Sequence, residues 1–444
     1  MAQPQLPAIT AFVSWPSAPL TDRLVRRALG QLTPPPHIVS ALPPPNELTS
    51  QNLLQWATYD DIEHEHTLSP PSDTKVLSSS YVIRKALIRK HFLSRCAHLH
   101  TTKNPESLLK HGMPKTWELE LSFVDELDEM WGDELWDLGE ELDRGEKWMI
   151  LKPGMADRGN GLRLFHTKEE LEAIFQEFED QDSDEDDEGR DDTAIVTSQL
   201  RHFVIQEYLS DPLLLDPSQV PTGGSIASGE TGAALEGRKF HIRAYCVTSG
   251  ALSVYVYTRM LALFSAVPYT PPLVTVDGKL DLAAHLTNTS LQTDKGDENV
   301  RLLDELIGRD ILSGSVGEKL SHEDMQDIQD QIAGLVGEIF QAALGMSVHY
   351  QALPNAFELY GLDFIVSHHN NPNATRKFSV SLLEVNSEPA IELTGPRLTW
   401  ILEDLFAAIA HTCVAPFFSS DTSQPSTVGS ALRKCLDVNV RGYW

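Results

Sequence analysis

Cysteine is scarce and scattered: Cys96, Cys246, Cys413 and Cys435 are the four in the chain, and no two form a CxxC pair. This argues against a disulfide framework or a cysteine zinc site and fits a reducing compartment. Residues 1–30 lack a basic segment followed by a long apolar run, and no stretch approaches the roughly 20 apolar residues that span a bilayer. A cytoplasmic protein with no membrane contact is the expectation. Positive charge is also in short supply, with 35 Lys and Arg against 64 Asp and Glu and a net charge of -29. Phosphate contacts need clustered cations, so no direct nucleic-acid binding is expected.

What remains is a globular composition, 41% hydrophobic over 444 residues, enough for two or three packed units. Residues 1–78 alternate apolar segments with a helix at Asp22 to Leu32, the pattern of a small N-terminal α/β domain. Residues 79–209 form a central domain. It opens with a basic island, Ser80 to Arg95, in which Ile83, Ala86, Leu87 and Phe92 are spaced to bury one helical face. It also carries an acidic block around 177–193, a solvated disordered loop or a lure for a basic partner. Residues 210–418 form a C-terminal domain with a Gly-, Ser- and Pro-rich mobile loop at 210–237. Within it, Met325 to Phe340 recur at helical spacing after a capping box at Ser321 to Asp324. The tail, 419–444, is loose until a final segment that can dock back.

The chemistry-bearing residues sit at strand ends. Lys152 closes the strand Lys147 to Pro153, and the loop that follows holds Gly159 and Gly161, which let the backbone approach an anion. Lys152 and Arg158 add positive charge there, although an ordinary turn has the same glycines. FVIQEYL at Phe203 to Leu209 reads as a buried strand with polar residues at its end. Strict alternation in KFHIRAY puts Lys239, His241 and Arg243 on one strand face, which suits a polyanion. On two later apolar segments, Asp363 and the pair Glu384 and Asn386 are oxygen donors, the kind that Mg²⁺ takes together with phosphates. Strand alternation puts Glu384 and Asn386 on one face.

Taken in order, KPxxxxxGxG at Lys152, QEYL at Gln206, KFxIR at Lys239, HLTN at His285, FELxGxD at Phe357 and LLEVNxxP at Leu382 resemble the tubulin-tyrosine ligase-like family of ATP-grasp enzymes. The likeness runs from about Tyr81 to Leu402, and the IRKALIRKH segment is most similar to the fungal branch. The resemblance implies an α/β (α+β) ATP-grasp fold of N-terminal, central and C-terminal domains, with ATP between the last two. It further implies that Lys85, Lys152, Arg158, Gly159, Gly161, Gln206, Glu207, Leu209 and Lys239 hold ATP, and that Asp363, Glu384 and Asn386 hold Mg²⁺. Arg243, Lys239 and Asn288 would then be catalytic.

The implied reaction joins an amino acid to a protein tail through an acyl phosphate, tubulin being one acceptor. A small peptide or metabolite is another. Two departures bear on this. The family's usual acid in KFDIR is His241 here, and a usual arginine aligns with Leu263, for which Arg259 is a possible substitute. These changes keep open a different reading, a catalytically reduced protein-binding platform in a cytoplasmic mRNA-decay or ribonucleoprotein assembly.

Overall fold

A computed structural model describes residues 8–42, 52–71, 74–154, 161–183, 202–221, 234–272, 282–285, 287, 299–315, 317–369, 376–419 and 431–440. The first apolar segments become a parallel sheet: β1 (Ile9–Ser14), β2 (His37–Val39), β3 (Asn52–Ala57) and β4 (Val76–Ser78), in the order β2-β1-β3-β4. Helix α1 (Pro19–Gly30) follows β1 and buries Leu24, Val25, Ala28 and Leu29. It starts before Asp22 because Pro19 suits the first helical turn, where its missing N–H leaves no bond unmade.

The basic island does not form one helix. A single turn, Lys85–Ile88, gives way to an extended Arg89 (φ -107°, ψ 121°) before α2 (Lys90–Lys103) begins. That break changes which side chains face inward: Ala86, Leu87, Leu93, Cys96 and Ala97 are buried, while Phe92 lies half-buried against His349. These residues join the core of the C-terminal sheet.

The central unit is a sheet of β5 (Thr116–Glu120), β6 (Met149–Pro153), β7 (Arg163–Phe165) and β8 (His202–Glu207), in the order β5-β8-β6-β7. Helix α3 (Lys168–Ser183) covers it, with Phe175 and Phe178 against Phe203. Those two rings carry the helix into the acidic block expected to be disordered. Glu177 to Asp180 are therefore helical, and 184–193 lies outside the described residues.

The C-terminal unit is a seven-stranded antiparallel sheet of β9 (Phe240–Ser249), β10 (Ser253–Tyr257), β11 (Leu261–Phe264), β12 (Val300–Leu302), β13 (Phe357–His368), β14 (Phe378–Ser387) and β15 (Leu432–Asp437). β9 has β13 along one edge and β11, then β10, along the other. One sheet face packs on α2 and α4 (His322–Leu344), whose Ser321–Asp324 capping box forms as expected. The other face packs on α1 and α5 (Thr399–Ile409).

Three expectations bear on this unit. The described part of the segment at 210–237 is held in place up to residue 221, because Leu213 and Leu215 are buried and the Leu213 N–H donates to the Val366 carbonyl (2.8 Å). The tail docks through β15, which pairs with β10. Finally, Pro396–Phe418 is long and apolar enough, by length and composition, to cross a membrane. Here Ile401, Leu405, Phe406 and Val414 of that segment are buried in the core.

Candidate functional site

A single rung of the C-terminal sheet sets the site. Arg243 on β9 lies across from Asp363 on β13, which lies across from Glu384 on β14. The Arg243 guanidinium donates two hydrogen bonds to the Asp363 carboxylate (2.5 and 3.0 Å). Asn386 donates its amide N–H to Asp363 Oδ2 (3.2 Å) and to Glu384 Oε1 (3.3 Å). The expected trio of oxygen donors thus comes together.

A bulge makes this possible. Phe378, Val380 and Leu382 face the core, yet Val385 faces the same core although its parity is opposite. The register shift between Asp363 and Phe364 accounts for the change. An extra residue in a strand reverses the side-chain alternation beyond it. Without it Glu384 and Asn386 would continue the even-numbered core face.

Cations converge on this rung from two other elements. Lys90, on the first turn of α2, brings its Nζ to 3.5 Å from Glu384 Oε2. From the central sheet, Lys152 Nζ donates to Gln206 Oε1 (2.6 Å). Lys239, immediately before β9, is buried, donates to the Tyr208 hydroxyl (3.0 Å) and lies over that ring at 4.2 Å. Tyr208 is in turn 2.9 Å from His285 Nδ1. Among the described residues neither Lys152 nor Lys239 has a carboxylate ion-pair partner. Burial pulls the Lys152 ammonium down to about 8. Burial and the repulsion of Lys152 pull Lys239 down to about 7. Burial pushes Glu384 the opposite way, but Lys90 and Lys152 outweigh it and hold the carboxyl below its usual range.

A cleft of about 400 Å³ opens beside the rung, lined by Arg84, Lys85, Arg89 and Lys90 on one wall and by Glu384 and Asn386 on another. Exposed Lys85 lines it as expected. Gly161 has φ +71°, the left-handed backbone that favours glycine. Gln206 is placed by β8 and by its bond to Thr116 (3.1 Å). Glu207 turns instead to Lys147 (2.9 Å), and Leu209 lies half-buried just past the strand end. Arg158, Gly159 and Asn288 lie outside the described residues. Lys90, Tyr208 and His285 join the site beyond the expected set. Sequence offered only a hint of the first, since nothing in a run of basic residues tells which one faces a carboxylate.

The donor set fits a hard divalent cation. Asn386 presents an N–H donor at the point where two carboxylate oxygens converge, and rotation of that amide would present its oxygen there instead. Four cations around two carboxylates fit a polyanion with its metal.

Residues 75–422 match the tubulin-tyrosine ligase family. The chain belongs to that family. It is 36% identical over 443 residues to the probable tubulin–tyrosine ligase PBY1 of Saccharomyces cerevisiae, covering 94% of this chain and 53% of that one. It is 38% identical over 431 residues to a probable tubulin–tyrosine ligase of Schizosaccharomyces pombe, covering 92% and 95% respectively. The chain therefore spans about half the length of the first relative and nearly all of the second. A crystal structure of the C-terminal domain of K. lactis Pby1, described as an ATP-grasp enzyme interacting with the mRNA decapping enzyme Dcp2, superposes with a TM-score of 0.67 and 28% identity, covering 98% of this chain and all of that one. The fold is ATP-grasp, α+β.

Within this family the two departures are neighbours. Leu263 on β11 pairs with His241 on β9, and directly paired residues of an antiparallel sheet point to the same side. An acid and an arginine at these two positions would face each other. Here both charges are replaced together. Burial foremost lowers the His241 pKa, favouring the neutral ring, which lies 3.7 Å from Asp363 Oδ1 and 2.6 Å from Thr287 Oγ1. Leu263 is buried with Leu261 and Tyr257. Arg259 does not take over, because it pairs with Asp404 on α5 and lies over Trp400.

Proposed function

We propose that this protein is an ATP-dependent carboxylate–amine ligase that joins an amino acid to a protein tail in the cytoplasm. The observation that carries this reading is the convergence of Lys152 and Lys239, neither in a close ion pair with a carboxylate among the described residues, on the rung of Asp363, Glu384 and Asn386. Buried ammonium groups without a counter-ion suit an anion that arrives with its own charge, and ATP is the polyanion this fold accommodates. A magnesium ion held by Asp363, Glu384 and the Asn386 amide oxygen would neutralise charge on the nucleotide phosphates.

The chain's own residues supply the rest. Lys152 and Lys239 hold phosphate oxygens by fixed charge, so that an acceptor carboxylate can attack the γ-phosphate, break its bond to the β–γ bridging oxygen and form an acyl phosphate as ADP leaves. Arg243 keeps Asp363 oriented. The amine of the joined amino acid then displaces phosphate to give the amide. The cationic wall of Arg84, Lys85, Arg89 and Lys90 suits an acidic acceptor tail such as that of tubulin, in a chain whose overall charge repels one.

Calorimetric titration with ATP, with and without Mg²⁺, tests this. Wild type should bind in a Mg²⁺-dependent way and Glu384→Ala should lose that dependence while keeping its thermal unfolding transition. Absence of ATP binding in the wild type would overturn the ligase reading.

A second reading rests on His241 and Leu263. The loss of both charges beside Arg243 is compatible with a site that no longer turns over and a surface kept for docking; the similar K. lactis Pby1 is described as interacting with the decapping enzyme Dcp2. Capture of a decapping-type partner equally by wild type and Glu384→Ala, with no ATP turnover in either, would favour it.

A further inference from the structure

A second cavity lies apart from the rung, where β3 and α1 meet β13 and α5. It has a volume of about 180 Å³ and its walls are largely apolar, with four aromatic rings, Trp15, Trp56, Phe357 and Phe406, among the lining residues. Trp56 is edge-on to Phe357 (centroids 5.3 Å apart) and stacked on Phe406 (6.0 Å), so the rings support one another. A cavity of about 150 Å³ is enough to admit a benzene ring.

The charged part of the wall is acidic on balance. It holds three carboxylates, Glu358, Glu388 and Glu392, and one guanidinium, Arg84. Arg84 is committed to the buried Glu358 and reaches Glu388 only at 3.9 Å. Glu388 accepts from the Tyr59 N–H (2.8 Å) through Oε1. Glu392 accepts from the Leu20 and Thr21 N–H groups (3.0 and 3.2 Å), also through Oε1. The wall therefore carries an excess of negative charge beside apolar surface.

We propose that this cavity binds a small aromatic amine, its ring among Trp15, Trp56 and Phe406 and its ammonium toward Glu388 and Glu392. The ring gains apolar burial. The charge gains from the carboxylates what a neutral molecule of the same shape cannot, and an anion is repelled. Because Arg84 lines both this cavity and the cleft, an occupant here touches a residue of the cleft's cationic wall. The proposal stands whether or not the cleft binds ATP.

The test is calorimetry of the full chain with three probes of one shape: 2-phenylethylamine, 2-phenylethanol and 3-phenylpropionate. The amine should bind one per chain and roughly tenfold tighter than the alcohol, and the acid should give no saturable heat. Glu388→Gln combined with Glu392→Gln keeps the acceptor oxygens and should reduce the amine to the alcohol's affinity. Ala390→Phe, at an exposed position on the cavity wall, should abolish binding of both. Should the double variant not fold, Glu388→Gln alone, at an exposed residue, should weaken the amine selectively. No saturable heat from the amine, equal affinity for all three probes, or full amine binding in Ala390→Phe would overturn the proposal.

Discussion

Lys239 sits in the protein with its ammonium buried and donating to the Tyr208 hydroxyl. Its pKa falls to about 7 in the folded chain from an ordinary value of 10.5. Between those values the unfolded chain binds more protons than the folded one, so this lysine makes stability rise with pH across that window. Each pH unit of such a displacement corresponds to about 1.4 kcal/mol. Lys239→Met should therefore melt higher than wild type at pH 7, with the difference shrinking as pH approaches 10; a melting point below wild type at pH 7 would contradict this. The same lysine should take up a proton when a phosphate arrives. ATP binding near pH 8 should then show an apparent enthalpy that changes with the ionisation enthalpy of the buffer, and Lys239→Met should remove most of that dependence.

At the scale of elements, the bulge in β14 and the glycine across from it on β13 set the site's geometry. Gly361 pairs with Asn386 on one side and with Tyr245 on the other. A Cβ there would lie 2.7 Å from the Pro389 Cβ and 3.1 Å from the Arg243 Cδ. Overfilling a packed position costs about 1–3 kcal/mol, and here part of the adjustment falls on Arg243. Gly361→Ala should lower the denaturant midpoint and weaken nucleotide binding together, whereas unchanged binding would mean that Arg243 can shift without disturbing Asp363. The long helix α4 was legible from its 3.6-residue period and its capping box. The break at Arg89 was not, because a run of helix-compatible residues does not reveal where tertiary packing on the sheet turns the chain.

For the molecule as a whole, the seven-stranded sheet is completed by a segment from the far end of the chain. β15 pairs with β10, buries Leu432 and ties Arg433 to Asp330 of α4 (2.5 Å). Removing residues 431–444 would leave an unpaired edge along β10, and exposed edges recruit other chains. The truncated protein should melt several degrees lower and scatter light in a concentration-dependent way. An unchanged melting point would show that the sheet does not need this strand.

The ordered motifs from Lys152 to Pro389 resemble the family closely enough to have implied both the family and its ATP-grasp fold, and strand alternation, a local property, put Glu384 and Asn386 on one face. Which cations face which carboxylates was decided only by the tertiary structure. Arg243 pairs with Asp363, and Lys90 with Glu384, because strand register and a broken helix bring together residues 120 and almost 300 positions apart. The coupling of His241 to Leu263 is of the same kind: in sequence they are two separate departures, and only the β9–β11 register makes them one.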